Sequence, residues 1–184
     1  MRNVRITWIL GLALVASVGC EQGHGEDKKS QLGVGVADAS ARIASTQGNQ
    51  VEGTVSFQKA SGGIRVVARL TGLKPGLHGF HVHTNGDCSA PDASSAGDHF
   101  NPSNAQHGDR YDEQAHVGDM GNIVADDSGQ ASLDYVDPHM TLEGENSIVG
   151  RSVVIHANQD DVQTQPAGNS GPRVGCGVIH AGRG

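Results

Sequence analysis

The sequence predicts an all-β domain of eight strands, built as a sandwich or barrel with two long functional loops. Three observations carry that expectation. Apolar residues come as short runs between Gly, Asp, Asn and Ser clusters rather than at helical spacing. Glycine is abundant, at 27 of 184 residues, and aromatics make up only 3%, which favours turns and short strands over long helices. The runs recur regularly except in two segments, and a chain of 184 residues suits one domain with a proper core.

In order, the strand signals cover residues 41–46, 51–59, 64–71, 77–83, 115–125, 130–137, 147–156 and 174–180. Eight such runs is a number typical of sandwiches and barrels. Lys74-Pro75-Gly76 and Asp126-Asp127-Ser128-Gly129 read as turns, because Pro presets φ while Gly and Asp tolerate positive φ. Residues 84–114 and 157–173 break the rhythm and are rich in Gly, Asp, Asn, Pro and Ser. Loops that long in a compact domain are usually functional.

The N-terminus reads differently. Arg2 and Arg5 precede an apolar stretch over residues 6–18, and small residues lead to Gly19 and Cys20. This pattern predicts an export signal over residues 1–19, its apolar part too short to span a bilayer comfortably. Ser17-Val18-Gly19-Cys20 resembles a bacterial lipoprotein signal, in which Cys20 becomes an acylated mature N-terminus. Ser17 stands where Leu is usual, so ordinary cleavage nearby stays open as the alternative. Residues 20–40 are polar, Gly-rich and aperiodic, and are expected to be a flexible tether to a folded domain over 41–184. The solitary His24 in that tether reads as a solvated side chain.

Loss of Arg2 and Arg5 leaves 11 of the 13 basic residues against 20 acidic ones, a formal charge of −9 for the mature chain. No basic stripe could neutralise phosphates, and Trp8 would leave with the signal, so nucleic-acid binding is excluded from the expectations. Membrane contact is expected only through the lipid at Cys20. With Cys20 so assigned, Cys88 and Cys176 are left as a disulfide pair in an oxidising compartment. A bridge closing that loop constrains the unfolded chain by about 4 to 5 kcal/mol on the chain-entropy account.

Six of the ten histidines carry the chemistry. His81 and His83, two apart in a strand-like run, project from one face while Phe80 and Val82 project from the other. The first long loop supplies His99, His107 and His116, with Asp119 three residues further on. Three imidazoles and a carboxylate suit a closed tetrahedral zinc site. His156 ends an apolar strand, where its ring can lean over the face of His81 and His83, and copper favours several imidazoles. Spacing alone supports a His-rich metal site in long loops on a strand scaffold.

The segments GLHGFHVHTNGDC, AGDHFNP, HVGDMGNI, GRSVVIHANQDD and GPRVGCGVI, in this order across residues 51–180, resemble the copper/zinc superoxide dismutase family. The resemblance implies a Greek-key, immunoglobulin-like β-sandwich or barrel. It implies copper at His81, His83, His99 and His156, and zinc at His99, His107, His116 and Asp119. His99 would bridge both ions as an imidazolate, placing them about 6 Å apart. The implied activity is dismutation of superoxide to O2 and H2O2 by alternate reduction and reoxidation of copper. In it His99 takes and returns a proton, and zinc sets the proton affinity and orientation of His99. Arg173 falls where the family has an anion-guiding arginine, and Asp160 falls where it has a carboxylate tying a copper histidine to a zinc histidine, here His81 and His107. Asp161, adjacent, is an alternative for that role.

Some features lie outside the pattern. The second loop is short beside that of eukaryotic members and contains no lysine, so long-range steering of superoxide is expected to be weak; Arg110 is a candidate to compensate, against a solvated charge as the plainer reading. His78 reads as a structural hydrogen bonder, one residue out of alternation with His81 and His83, and His139 and His180 read as surface histidines. Two other functions remain open from residues alone: a copper chaperone or store on the same fold, which tends to lose ligands, and a zinc-binding envelope lipoprotein. An exported, periplasmic or cell-envelope location follows from the signal. Family members include different assemblies, a homodimer among them, and no interface is legible in the residues.

Overall fold

The computed structural model describes residues 38–182, so the expectations for the signal, Cys20, His24 and most of the tether lie outside the described residues. Eight strands form: β1 (Ala39–Ser45), β2 (Glu52–Ala60), β3 (Gly63–Thr71), β4 (Gly76–His83), β5 (Asp119–Ala125), β6 (Ala131–Asp137), β7 (Ser152–His156) and β8 (Arg173–Ala181). They close into a barrel in the order β1-β2-β3-β6-β5-β4-β7-β8, antiparallel at every pairing. The crossovers from β3 to β4 and from β6 to β7 give the Greek-key connectivity, and pairing of β1 with β8 removes both sheet edges.

Alternation explains the inside of the barrel. In β3, Ile64, Val66, Ala68 and Leu70 are buried while the residues between them are not. Phe57 and Phe80 are fully buried and join Ile43, Met120, Ile123, Ile155 and Ile179 in one core. β7 departs from alternation because all five of its residues are buried. Val153 and Ile155 face the main core, whereas Val154 faces a second cluster with Ala93, Ala96 and Cys176. The expected disulfide joins Cys88 to Cys176, Sγ to Sγ 2.07 Å, and holds that cluster against the outside of β7.

Three strand starts differ from the expectation by two residues or more. β1 begins at Ala39, just inside the segment read as tether, because Ala39 and Ala41 are buried and paired with both β2 and β8. β5 begins at Asp119 rather than 115: residues 116–118 make a turn closed by Asp119 N–H to the His116 carbonyl, 3.0 Å, and Gly118 pairs with Val82 and Phe100 instead. β7 begins at Ser152 rather than 147, since the chain turns at Gly150, where φ is +81°. The Asp126 turn forms as read, its carboxylate accepting from the Ser128 and Gln130 amides at 2.9 Å each.

Candidate metal centre

β4 delivers His81 and His83 to its outer face while Phe80 and Val82 enter the core. The chain then returns alongside: His99 bridges to His83, and Phe100 N–H donates to the Val82 carbonyl at 2.8 Å. His156 ends β7, beside β4. The loop carries His107 and His116, and Asp119 opens β5. All seven side chains are at most 8% exposed.

They gather into two groups of four, His81, His83, His99 and His156, and His99, His107, His116 and Asp119, with the ligand atoms of each group within 4.8 Å of one another. The ring nitrogens can be assigned from their partners, since a carbonyl or carboxylate only accepts. His83 Nδ1 donates to the Gly97 carbonyl at 2.8 Å and His156 Nδ1 to the Gly171 carbonyl at 3.0 Å. Their Nε2 atoms therefore carry lone pairs, and these face each other at 3.3 Å. Two lone pairs that close repel, and a cation placed between them turns the contact favourable. His81 Nε2 donates to Asp160 Oδ2 at 2.7 Å, which leaves its Nδ1 buried without a partner. His99 Nε2 is likewise buried and unpartnered, so a fourth lone pair serves the same point.

The second group centres on Asp119. His99 Nδ1 lies 2.7 Å and His116 Nδ1 3.3 Å from Oδ1, and His107 Nδ1 lies 3.0 Å from Oδ2 without the angle of a hydrogen bond. Three imidazole nitrogens converging on one carboxylate fit a divalent cation with N and O ligands. His99 thus offers Nε2 to one group and Nδ1 to the other. The residues fit copper in the first group and zinc in the second.

Electrostatics separates the groups. Burial pushes His81 down to about 3 and His156 to about 4, and drives His83 down as well, so these rings stay neutral with lone pairs ready. Burial also opposes protonation of His107, but the carboxylates of Asp119 and Asp160 prevail and lift it to about 9. Burial would raise Asp119 and Asp160; their histidine partners outweigh it and hold both well below the usual carboxylate range.

Around the groups lies a set of orienting contacts. Asp160 accepts from His81 and, through Oδ1 at 2.9 Å, from His107 Nε2. Asp161 takes no part: its carboxylate accepts from the Gln163 and Thr164 amides and the Thr164 hydroxyl in an exposed turn. Arg173 donates from Nη1 to the Ala93 carbonyl and from Nη2 to the Gly97 carbonyl, both 2.6 Å. Gly97 therefore holds Arg173 and His83 through one oxygen. Arg173, His83, His99 and His156 line a cavity of about 550 Å³.

Arg110 does not line that cavity. It stacks 4.7 Å over the Tyr135 ring and donates to the Asn122 carbonyl, so it is neither a steering charge at the mouth nor a freely solvated one. His78 bonds the His156 and Lys74 carbonyls at 2.8 Å each, as a structural hydrogen bonder should. His139 and His180 belong to neither ligand group; His139 is half-buried rather than on the surface, and His180 is exposed. Two residues went unnoticed in the sequence. Asn122 accepts from the Asp160 N–H and donates to the Asp160 carbonyl, both 2.8 Å, and Gln165 does the same to His107 at the same distances.

The comparisons agree with this geometry. The family description "Copper/zinc superoxide dismutase (SODC)" matches residues 51–179. The chain is 47% identical over 152 residues to an extracellular superoxide dismutase [Cu-Zn] of Brugia pahangi, covering 78% of this chain and 75% of that one. It is 45% identical to a superoxide dismutase [Cu-Zn] of Onchocerca volvulus, covering 76% of this chain and 95% of the relative. It is 44% identical to superoxide dismutase [Cu-Zn] 2 of Mesembryanthemum crystallinum, covering 71% and 88% respectively. With two ligand groups that share one imidazole, and with these relatives, the chain belongs to the copper/zinc superoxide dismutase family: it is an oxidoreductase that dismutes superoxide using copper and zinc.

Proposed function

We propose that His81, His83, His99 and His156 hold the copper, that His99, His107, His116 and Asp119 hold the zinc, and that His99 and Arg173 are the catalytic residues. The observation that carries the assignment is the division of His99 between the groups, Nδ1 toward Asp119 and Nε2 buried without a partner on the copper side. When bound, copper supplies a one-electron couple that takes an electron from one superoxide and returns it to another.

The chain's own residues do the rest. Arg173 offers an anion its guanidinium beside His83 and His156, pre-positioned by two carbonyls and needing no reorganisation on binding. His99 accepts a proton from solvent at Nε2 and gives it to the departing peroxide, with water supplying the second proton of H2O2, while the contacts at Nδ1 keep the ring aimed. Asp160, itself clamped by Asn122, fixes His81 and His107 through their Nε2–H groups. Direct counting of copper and zinc per chain, with superoxide turnover measured in the parent and in His156→Ala, tests the reading. One of each metal with rapid turnover that His156→Ala abolishes supports it; zinc alone without turnover contradicts it.

The same reading covers location and assembly. The Cys88–Cys176 disulfide supports export, and Cys20 is the proposed lipid anchor of a periplasmic or cell-envelope protein. Cys20→Ala should move the protein from the detergent phase to the aqueous phase. A homodimer is the proposed assembly, tested by sedimentation of the mature protein.

A further inference from the structure

His107 is gripped by its main chain as well as its ring. Gln165 Oε1 accepts from the His107 N–H and Gln165 Nε2 donates to the His107 carbonyl, each at 2.8 Å, across 58 residues of sequence. One side-chain amide thus satisfies both main-chain polar groups of one residue, as a neighbouring strand would. Among the described residues these are the main-chain hydrogen bonds of His107. The other loop ligands are anchored differently: His99 by its bridge to His83, and His116 through its own N–H to Asp119 Oδ2 at 3.2 Å.

The β7–β8 loop makes two further approaches to the same histidine. Asp160 takes the Nε2–H, and Gly168, at φ +62°, packs so close that a Cβ there would collide with the Asp160 carboxylate and sit 2.6 Å from His107 Nε2. Next to Gln165, Pro166 and Ala167 form part of the wall of the cavity holding His99, His156 and Arg173. The loop therefore encloses His107 on one side and shapes the substrate cavity on the other.

We propose that Gln165 is a positioning residue for zinc: it latches the β7–β8 loop to the main chain of His107, holding Nδ1 in register with Asp119, His99 and His116. The proposal rests on the reading of His107 as a zinc ligand. Because Gln165 is exposed, the latch adds little to the packed core and acts on ligand placement.

The test uses the metal-loaded protein and follows zinc transfer to a chromogenic chelator, together with the visible spectrum of Co(II) placed in the zinc group. Gln165→Ala should release zinc about tenfold faster, the lower end of what partners of ligating histidines contribute, and shift the Co(II) bands, with copper retention unchanged. Gln165→Glu keeps size and shape but sets a carboxylate oxygen against the His107 carbonyl; it should release zinc at least as fast as Gln165→Ala, whereas a space-filling role would leave it like the parent. His107→Ala separates the two claims. If it loses zinc while both Gln165 variants keep parental release and spectra, the latch is wrong and the ligand reading stands. If His107→Ala keeps zinc like the parent, the ligand reading falls and the latch with it.

Discussion

The two ligand groups share His99 yet are built on opposite electrostatic plans. The group proposed for copper is four imidazoles with no carboxylate among them, three kept neutral by burial and the fourth, His99, common to both groups. With no carboxylate ligand, a metal there would keep most of its positive charge, beside Arg173 in the cavity proposed to receive the anion. The group proposed for zinc contains Asp119, and in it the carboxylates of Asp119 and Asp160 flank His107 and favour its protonated form in the absence of metal. There the ion replaces a proton, and its charge is partly neutralised in place. One group is arranged to attract and exchange electrons with an anion, the other to stay put.

The largest expected effect breaks this contrast at its source. Asp119→Asn removes the one carboxylate of the group proposed for zinc, and zinc affinity measured by chelator competition should fall by more than about a hundredfold, beyond what an outer partner contributes, with copper still bound. Gly168→Ala strikes where the groups are joined, since its Cβ falls on the Asp160–His107 contact at a positive φ. Thermal unfolding should show a loss of about 2 to 3 kcal/mol, from backbone strain and a broken buried hydrogen bond. Both metals should then be released faster.

Arg173→Ala leaves the metals in place and should lower kcat/KM for superoxide roughly tenfold, the low end of electrostatic guidance. Smaller still is Asp98→Asn. Asp98 lines the cavity, and its charge, with that of Asp92, acts on the Arg173 guanidinium. Neutralising it should raise kcat/KM by up to about twofold at low salt and flatten the salt dependence.

Proton linkage sharpens the comparison last. His107 without metal sits at about 9, above the free imidazole value, so zinc must expel a proton below that pH. Zinc affinity should therefore climb with pH up to about 9, with His107 contributing about one proton to the slope. His81 and His156 are depressed to about 3 and 4, so they bind no proton near neutrality. Their share of copper affinity should be flat from pH 5 to 8 in the same titration.

Much of this was legible in the sequence because strands announce themselves by alternation. His81 and His83 fell on one face for that reason, and the eight runs correspond to the eight strands. The starts of β5 and β7 were not legible: residues 115–118 and 147–151 carry apolar side chains (Val117, Ile148, Val149) that run on into the strands, and only the turn closed at His116 and the bend at Gly150 divert them. Asp160 and Asp161 are chemically identical neighbours. What selects Asp160 is the Asn122 amide, 38 residues away, which fixes its main chain, while Asp161 is used up in a local turn. Gln165 was silent for the same reason, since an amide that clamps a distant main chain has no local pattern. Arg110 fits neither the steering charge nor the plainer solvated one, because the Tyr135 ring beneath it has no local signal in the sequence.

The central claim is that one imidazole serves both groups. Paramagnetic resonance of Cu(II) in the protein, with Co(II) filling the zinc group, tests it most directly. A shared His99 couples the two ions through its ring, so the Cu(II) signal should be lost when Co(II) is added and return when His99→Ala breaks the link. A Cu(II) signal of full intensity with Co(II) bound would contradict the account.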